Sequence, residues 1–331
     1  MDISQDYGQI FTNKLDTSMD ELPPLNTGIT SAPGRALVRP APGLAHAAEG
    51  ATRRVRVRRD RVDHVALATV YLVSAFSLAG FATFGRHPER LANAPLAASV
   101  YGWMLLLAPR VQILVAFIVL AVVLTRHAAA RWVPAFVGLY VLSLSSELSG
   151  TTLGLPFGPY HYTPALGARW FGHVPLLIPL SWFFMALPSY AVARRRFPEP
   201  RKVAQRVLAG SLLLLSWDLC LDPAMSLVTS FWVWGTAGPY YGMPLLNLAG
   251  WYVTGLVLMV ALAWLRTDDW ISRLSLPWQV GFYGANLLLP LGMSVVAGLW
   301  GAATTTVIAL GVCWLIVHPR SARHGGTSGA R

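Results

Sequence analysis

The sequence predicts an all-α, polytopic integral membrane protein of about eight transmembrane helices, with two Gly/Pro/aromatic-rich loops of the re-entrant type. Three observations carry this. Of 331 residues, 54% are hydrophobic and only 12% charged, against about 25% charged in ordinary soluble chains. Mean hydropathy is +0.49. The apolar residues come in long runs rather than amphipathic stripes. Together they exclude a soluble enzyme, a disordered chain and a coiled coil. The net charge of +11 resides largely in arginines beside apolar runs. There they read as topology signals and lipid headgroup contacts, and no nucleic-acid partner is expected. The two cysteines, Cys220 and Cys313, lie in apolar runs and form neither a disulfide framework nor a zinc spacing.

From the N-terminus, residues 1–50 are polar and rich in Pro, Gly and Ala, without apolar periodicity. They read as a disordered tail rather than a signal peptide. The tail closes on Arg53, Arg54, Arg56, Arg58, Arg59 and Arg61, a cluster that would hold this end in the cytoplasm. Spans are expected near 65–84, 111–125, 132–149, 174–193, 207–222, 245–265, 277–298 and 300–317, each close to the ~20 residues that cross a bilayer. Pro109 and Arg110 interrupt the run before the second span, so 97–108 reads as an interfacial or broken helix. The domain reading is a tail 1–61, a transmembrane domain 62–318 and a second tail 319–331.

Basic residues test the span count. Arg126 and Arg131, the cluster from Arg194 to Arg206, Arg266 and Arg273, and Arg320, Arg323 and Arg331 fall in alternate inter-span segments. The positive-inside rule then puts both termini in the cytoplasm of a multi-pass cell-membrane protein. Loops 150–173 and 223–243 would share the other side. Both are rich in Gly, Pro and aromatics, and are expected to fold back at membrane depth and line a cavity. An internal echo joins them. Gly158-Pro-Tyr-His-Tyr162 recurs as Gly238-Pro-Tyr-Tyr-Gly242, and Pro175-Leu-Leu-Ile-Pro-Leu-Ser-Trp182 as Pro244-Leu-Leu-Asn-Leu-Ala-Gly-Trp251. This suggests two helix–loop–helix units in parallel repeat around a shared site.

Of fifteen acidic residues, only Glu147, Asp218 and Asp222 sit inside apolar stretches. A charge at the bilayer centre costs on the order of 3 kcal/mol even on insertion scales, which marks these three as functional candidates. The bland alternative is a structural carboxylate paired with Arg110, Arg169 or a histidine. Asp218 and Asp222 are four apart and share a helix face, and Pro223 should end that helix. Two close carboxylates repel when both are ionised, so a pair sharing one proton is expected: a general acid beside a general base. His161 and His173 flank the first loop, but no HxxxH or ExxH spacing accompanies them, and no metal site is assigned. The aromatics are either an interfacial belt or a slot for a long apolar ligand, whose rings would also stabilise a developing cation. Their enrichment in the two loops favours the slot. No P-loop, dinucleotide fingerprint, haem motif or nucleophile elbow is found.

Four segments carry a resemblance. Glu147–Tyr162, Val174–Trp182, Trp217–Met225 and Gly238–Asn247 together resemble the CruF-type carotenoid 1,2-hydratases, a family that includes archaeal hydratases of C50 carotenoid synthesis. The likeness covers roughly 65–317. It implies a hydro-lyase, independent of any cofactor, that adds water across the terminal C1=C2 bond of an acyclic end group to give a tertiary alcohol. The implied partners are an acyclic or monocyclic carotenoid of the lycopene or γ-carotene type, water and membrane lipid.

Such a reaction needs a buried acid, a base to take a proton from water, and π-faces around a tertiary cation. The chemistry assigns Asp218 or Asp222 as acid, its neighbour as base or water-orienting group, and Glu147 as a further acid/base candidate. Tyr160, His161, Trp232 and Tyr240 are expected to shape the end-group pocket, with Tyr162, Trp182, Trp217, Tyr241 and Asn247 in the substrate-binding set. Two rivals stand beside this reading. One is a polytopic, magnesium-dependent prenyltransferase, for which Asp218-x-x-x-Asp222 is half a diphosphate site and no second half is found. The other is a carotenoid or lipid transporter or scaffold without catalysis.

Overall fold

A computed structural model describes residues 42–318, with side chains from Asp60 onward. Residues 1–41 and 319–331, most of the two predicted tails, lie outside the described residues. The chain divides into an N-terminal unit, Met1–Thr52, and a second unit, Arg53–Arg331. The second unit contains every apolar stretch and both aromatic loops.

The long helices are α1 (Pro42–Gly80), α2 (Pro95–Ala128), α3 (Val133–Leu153), α4 (Ile178–Arg196), α5 (Val203–Asp222) and α6 (Leu245–Trp264). The one-turn α7 (Asp268–Ile271) leads into α8 (Leu276–Val296) and α9 (Trp300–Val317). The short strands are β1 (Tyr160–Tyr162), β2 (Arg169–Trp170), β3 (Val174–Pro175) and β4 (Trp232–Trp234). A helix covers each of the eight predicted span positions. Among the described residues, however, six stretches are long and apolar enough to cross a membrane. One of these, Pro95–Leu153, runs 59 residues and contains both α2 and α3. α4 is not among the six; its prolines, Ser, Tyr and three terminal arginines dilute its hydropathy.

Three boundaries differ from the sequence reading. α1 starts at Pro42, so residues 42–61, assigned to the tail, are helical. Residues 97–108 are no separate helix, because α2 runs unbroken through Pro109. Within the protein a helix tolerates the amide that proline removes, and Arg110 turns outward to donate from Nε to Ala165 O at 2.8 Å. Nor does Pro223 end the rod. The α pattern stops at Asp222, and a wider π turn continues over Pro223–Val228. It absorbs the missing amide, while Ser226 Oγ donates to Asp222 O at 2.7 Å.

α5 is the hub, packing against α4, α6, α8 and α9. The stretch containing it is 72% buried, against 17% for that of α1 and 22% for α9, so the two aspartates ride on the most enclosed of the six apolar stretches. Polar side chains tie α5 to its neighbours through backbone carbonyls, as expected where no water competes. Tyr283 OH donates to Leu213 O at 2.8 Å, and Trp217 Nε1 to Asn286 O at 3.1 Å. At the end where α5 starts, the charged residues meet. Asp268 is bonded by Tyr190 OH, Arg194 and Arg206, and Asp63 by Arg126 and His127. Outward faces carry Leu72, Phe76, Leu114, Val260, Ile308 and Leu315 in exposed positions, a surface suited to lipid tails.

At the end where α5 finishes, the two Gly/Pro/aromatic loops meet. β1 from the first pairs antiparallel with β4 from the second, Tyr160 opposite Trp234 and Tyr162 opposite Trp232. The loops therefore share one end of the bundle, and the first is sunk into it. Gly154 adopts a left-handed conformation (φ 74°) that ends α3. Gly150 on α3 and Gly250 on α6 leave the space that the loop fills. A Cβ at Gly150 would lie 2.7 Å from the Phe157 ring, and one at Gly250 would lie 2.6 Å from Pro156 O.

Candidate active site

Strand alternation builds the first half of the site. Side chains of β1 point alternately inward and outward, so Tyr160 and Tyr162 are buried while His161 is exposed. Both tyrosines reach Glu147 on α3, which is 4% exposed. Tyr162 OH donates to Oε2 at 2.9 Å, and Tyr160 OH donates to the same oxygen. Trp182 Nε1, from the second turn of α4, donates to Oε1 at 2.8 Å. Both oxygens of Glu147 are thus held by neutral donors.

The second half is built on α5. Asp222, 2% exposed, accepts from Trp232 Nε1 of β4 at 2.8 Å and from Asn247 Nδ2 of α6 at 2.5 Å. The same Nδ2 lies 3.4 Å from Asp218 Oδ2, so one amide bridges the two aspartates. Asp218 is fully buried, and its Oδ1 has no hydrogen-bond partner among the described residues.

Glu147 and Asp222 line one cavity with Asn247 and Ser181. Its remaining wall is largely aromatic, including Tyr160, Tyr162, Trp182, Trp232, Trp234 and Trp251. Trp182 and Trp251 stack with centroids 4.0 Å apart, and the Tyr162 and Trp232 rings stand edge to face at 5.9 Å. Trp234 Nε1 is buried with no hydrogen-bond partner among the described residues. A second cavity shares Ile178, Ser181, Leu221 and Trp232 with the first. It extends between α2, α4, α5 and α8 along Ile113, Phe184, Trp217 and Leu289, a chamber for hydrocarbon.

The electrostatics are unusual. Among the described residues, no Arg, Lys or His forms an ion pair with Glu147, Asp218 or Asp222. Arg110 bonds to Ala165 O, and Arg169 donates to Tyr162 O at 3.0 Å, so the pairings that would make these carboxylates structural are not formed. Buried carboxylates without cations are costly, and protons are the counter-charge such a set can take up. Among the described residues, no three His, Cys, Asp or Glu side chains converge as metal ligands.

The structure therefore brings Glu147, Asp222, Tyr160, Tyr162, Trp182, Trp232 and Asn247 to one cavity, and Trp217 to the adjoining one. Asp218 stands behind Asp222 and outside both linings. His161 faces away, and His173 is exposed. Tyr240 lies elsewhere, its OH donating to Leu219 O at 2.8 Å, and Tyr241 packs edge to face on it. From the sequence, Trp234 and Trp251 are among the aromatics read as a belt or slot without a specific role, and Ser181 is unassigned. The echo pointed to Trp251 as the counterpart of Trp182, and two-residue alternation from Trp232 pointed to Trp234; nothing marked Ser181.

Residues 109–313 match the family model described as carotenoid biosynthesis protein, a range that holds every ionisable residue of the site. The bisanhydrobacterioruberin hydratase of Haloarcula japonica is 30% identical over 127 residues, covering 38% of this chain and 43% of that protein. The chain thus matches less than half the length of this curated relative. No solved structure matches it.

Proposed function

The chain belongs to the carotenoid biosynthesis protein family, and from that premise we propose that it is a carotenoid hydratase of the hydro-lyase type. It adds water across the terminal C1=C2 bond of an acyclic end group and leaves a tertiary alcohol at C1. One observation carries the reading: Glu147 and Asp222 face one aromatic-walled cavity, held by neutral donors alone, next to an apolar chamber.

Asp222 gives its proton to C2, and the π electrons form the new C–H bond. The tertiary cation left at C1 meets the faces of Tyr162, Trp182 and Trp232, whose quadrupoles favour positive charge. A water oxygen attacks C1 and loses a proton to Glu147. Trp234 Nε1–H, a donor in need of an acceptor, holds that water by its oxygen. One proton then returns from Glu147 to Asp222, and the cycle closes without redox change. Asp218, joined to Asp222 through Asn247, is the second member of the proton-sharing pair and acts through its neighbour. The tyrosines and Trp182 keep Glu147 competent as an anion.

Expression in a lycopene-producing bacterial host tests the reading. Pigments should gain the mass of one water, with a nearly unchanged visible spectrum, because the terminal C1=C2 bond lies outside the conjugated system. Unchanged pigment beside well-inserted protein would contradict it. The proposed orientation puts both termini in the cytoplasm, since Arg126, Arg194 and Arg206 lie at the end of the bundle opposite the site. A reporter fused after Arg331 should give a cytoplasmic signal; a periplasmic one would overturn this.

A further inference from the structure

The hydrocarbon chamber contains a polar feature that the proposed reaction does not use. Gln112 of α2 lines it and is 8% exposed. Ser74 Oγ donates its one proton to Ala285 O at 2.8 Å, so towards Gln112 it can only accept. The atom facing it at 2.9 Å must then be Gln112 Nε2, which fixes the orientation of the amide. The other amide atom, Oε1, is thereby an acceptor, and it has no partner among the described residues. Asn286 of α8, 4% exposed, lines the same chamber. Its Nδ2 gives one hydrogen to Phe282 O at 2.9 Å, so its carbonyl and one N–H remain to meet a hydroxyl. The rest of the wall is almost wholly hydrocarbon, with no charged side chain.

A buried acceptor left without a donor is unfavourable, and a site built to bond a hydroxyl discriminates against the analogue that lacks one. We propose that Gln112 and Asn286 form a hydroxyl-recognition subsite, so that the ligand taken into this chamber is an isoprenoid polyene bearing an alcohol. The polyene part of this assignment rests on the hydratase reading; the demand for an O–H donor rests on Gln112 Oε1. A carboxylate or phosphate ligand would bring no donor to Gln112 Oε1 and would find no cation in the wall.

The test measures binding without turnover, using the full chain carrying Asp222→Asn in detergent. Quenching of tryptophan fluorescence, to which Trp217 and Trp232 in the chamber wall contribute, is titrated with lycopene and with 1-hydroxylycopene, which share a chromophore. The hydroxylated polyene should bind about tenfold more tightly, the worth of one net hydrogen bond. Adding Gln112→Leu should abolish the preference and leave lycopene binding unchanged. Asn286→Leu should do the same, and it serves if the Gln112 variant fails to insert. Equal affinity for the two polyenes in the parent would overturn the proposal. So would a variant that weakens both equally, the signature of a lost tether to Ser74 or of a site for water. A failure here leaves the hydration reaction standing, and absent hydration with the preference intact would count against the reaction alone.

Discussion

Asp222→Asn should lower hydration by about 10²–10⁴-fold, the usual worth of a positioned general acid, while the protein still inserts and stays folded. The substitution keeps the shape of a side chain that is 2% exposed. Its amide oxygen can still accept from Trp232 Nε1, the bond now made at 2.8 Å. Only the proton is lost. The bond from Asn247 would then meet an amide NH₂ instead of an oxygen, a local cost of about 1–3 kcal/mol at most. If Asp222 were a structural carboxylate, neutralising it would relieve a desolvation penalty, and stability would rise with activity intact. Pigment turnover together with thermal unfolding of the purified variant separates the two outcomes. Asp218→Asn should be milder than Asp222→Asn, because Asp218 lines neither cavity and acts through its neighbour.

Glu147→Gln has the second largest expected effect, again at least about 10²-fold in turnover. It should also cost stability. Three donors converge on Glu147, from Tyr160, Tyr162 and Trp182. A glutamine presents one oxygen and one NH₂; with the oxygen kept on Trp182, the NH₂ donates to the two tyrosine oxygens, and their hydroxyl protons lose Oε2 as acceptor. That leaves a buried N–H or O–H unsatisfied, at about 1–3 kcal/mol. Tyr162→Phe removes one of the two donors on Oε2 and should recover part of that stability in the double variant without restoring turnover. Recovery of turnover would show that Glu147 positions the loop and takes no proton.

Much of this was legible in the chain. Apolar runs long enough to span a bilayer can hardly be anything but helices, and a helix lies at each expected place. Glu147, Asp218 and Asp222 stood out because charge in such runs is costly. The echo between the loops also has a physical counterpart. Trp182 and Trp251, equivalent positions in the two copies, stack on one another, and the equivalent Ile178 and Asn247 both line the acid cavity. What the echo could not convey was how the loops pair. β1 lies against Trp232–Trp234, not against its own counterpart at 240–242, because pairing follows backbone geometry across the bundle. Tyr240 and Tyr241 were carried to the site by the echo and lie outside it. His161 was legible in principle, since the two-residue period of a strand that buries Tyr160 and Tyr162 must expose the residue between them. The choice between Asp218 and Asp222 was not, since four residues apart on one helix face says nothing of which turn meets the cavity. In the structure Asp222 lines the cavity and Asp218 does not. Pro109 misled because a proline that would break an isolated helix is tolerated within packed protein.

The central claim is that a buried carboxylic acid protonates the alkene and water supplies the oxygen. The most direct measurement is hydration by the purified, membrane-reconstituted protein in doubly labelled water, with ¹⁸O and deuterium, followed by mass and magnetic-resonance analysis of the alcohol. The account predicts one ¹⁸O at C1 and one deuterium at C2 in each product molecule. An alcohol without ¹⁸O, or one whose C2 carries no solvent deuterium, would contradict it.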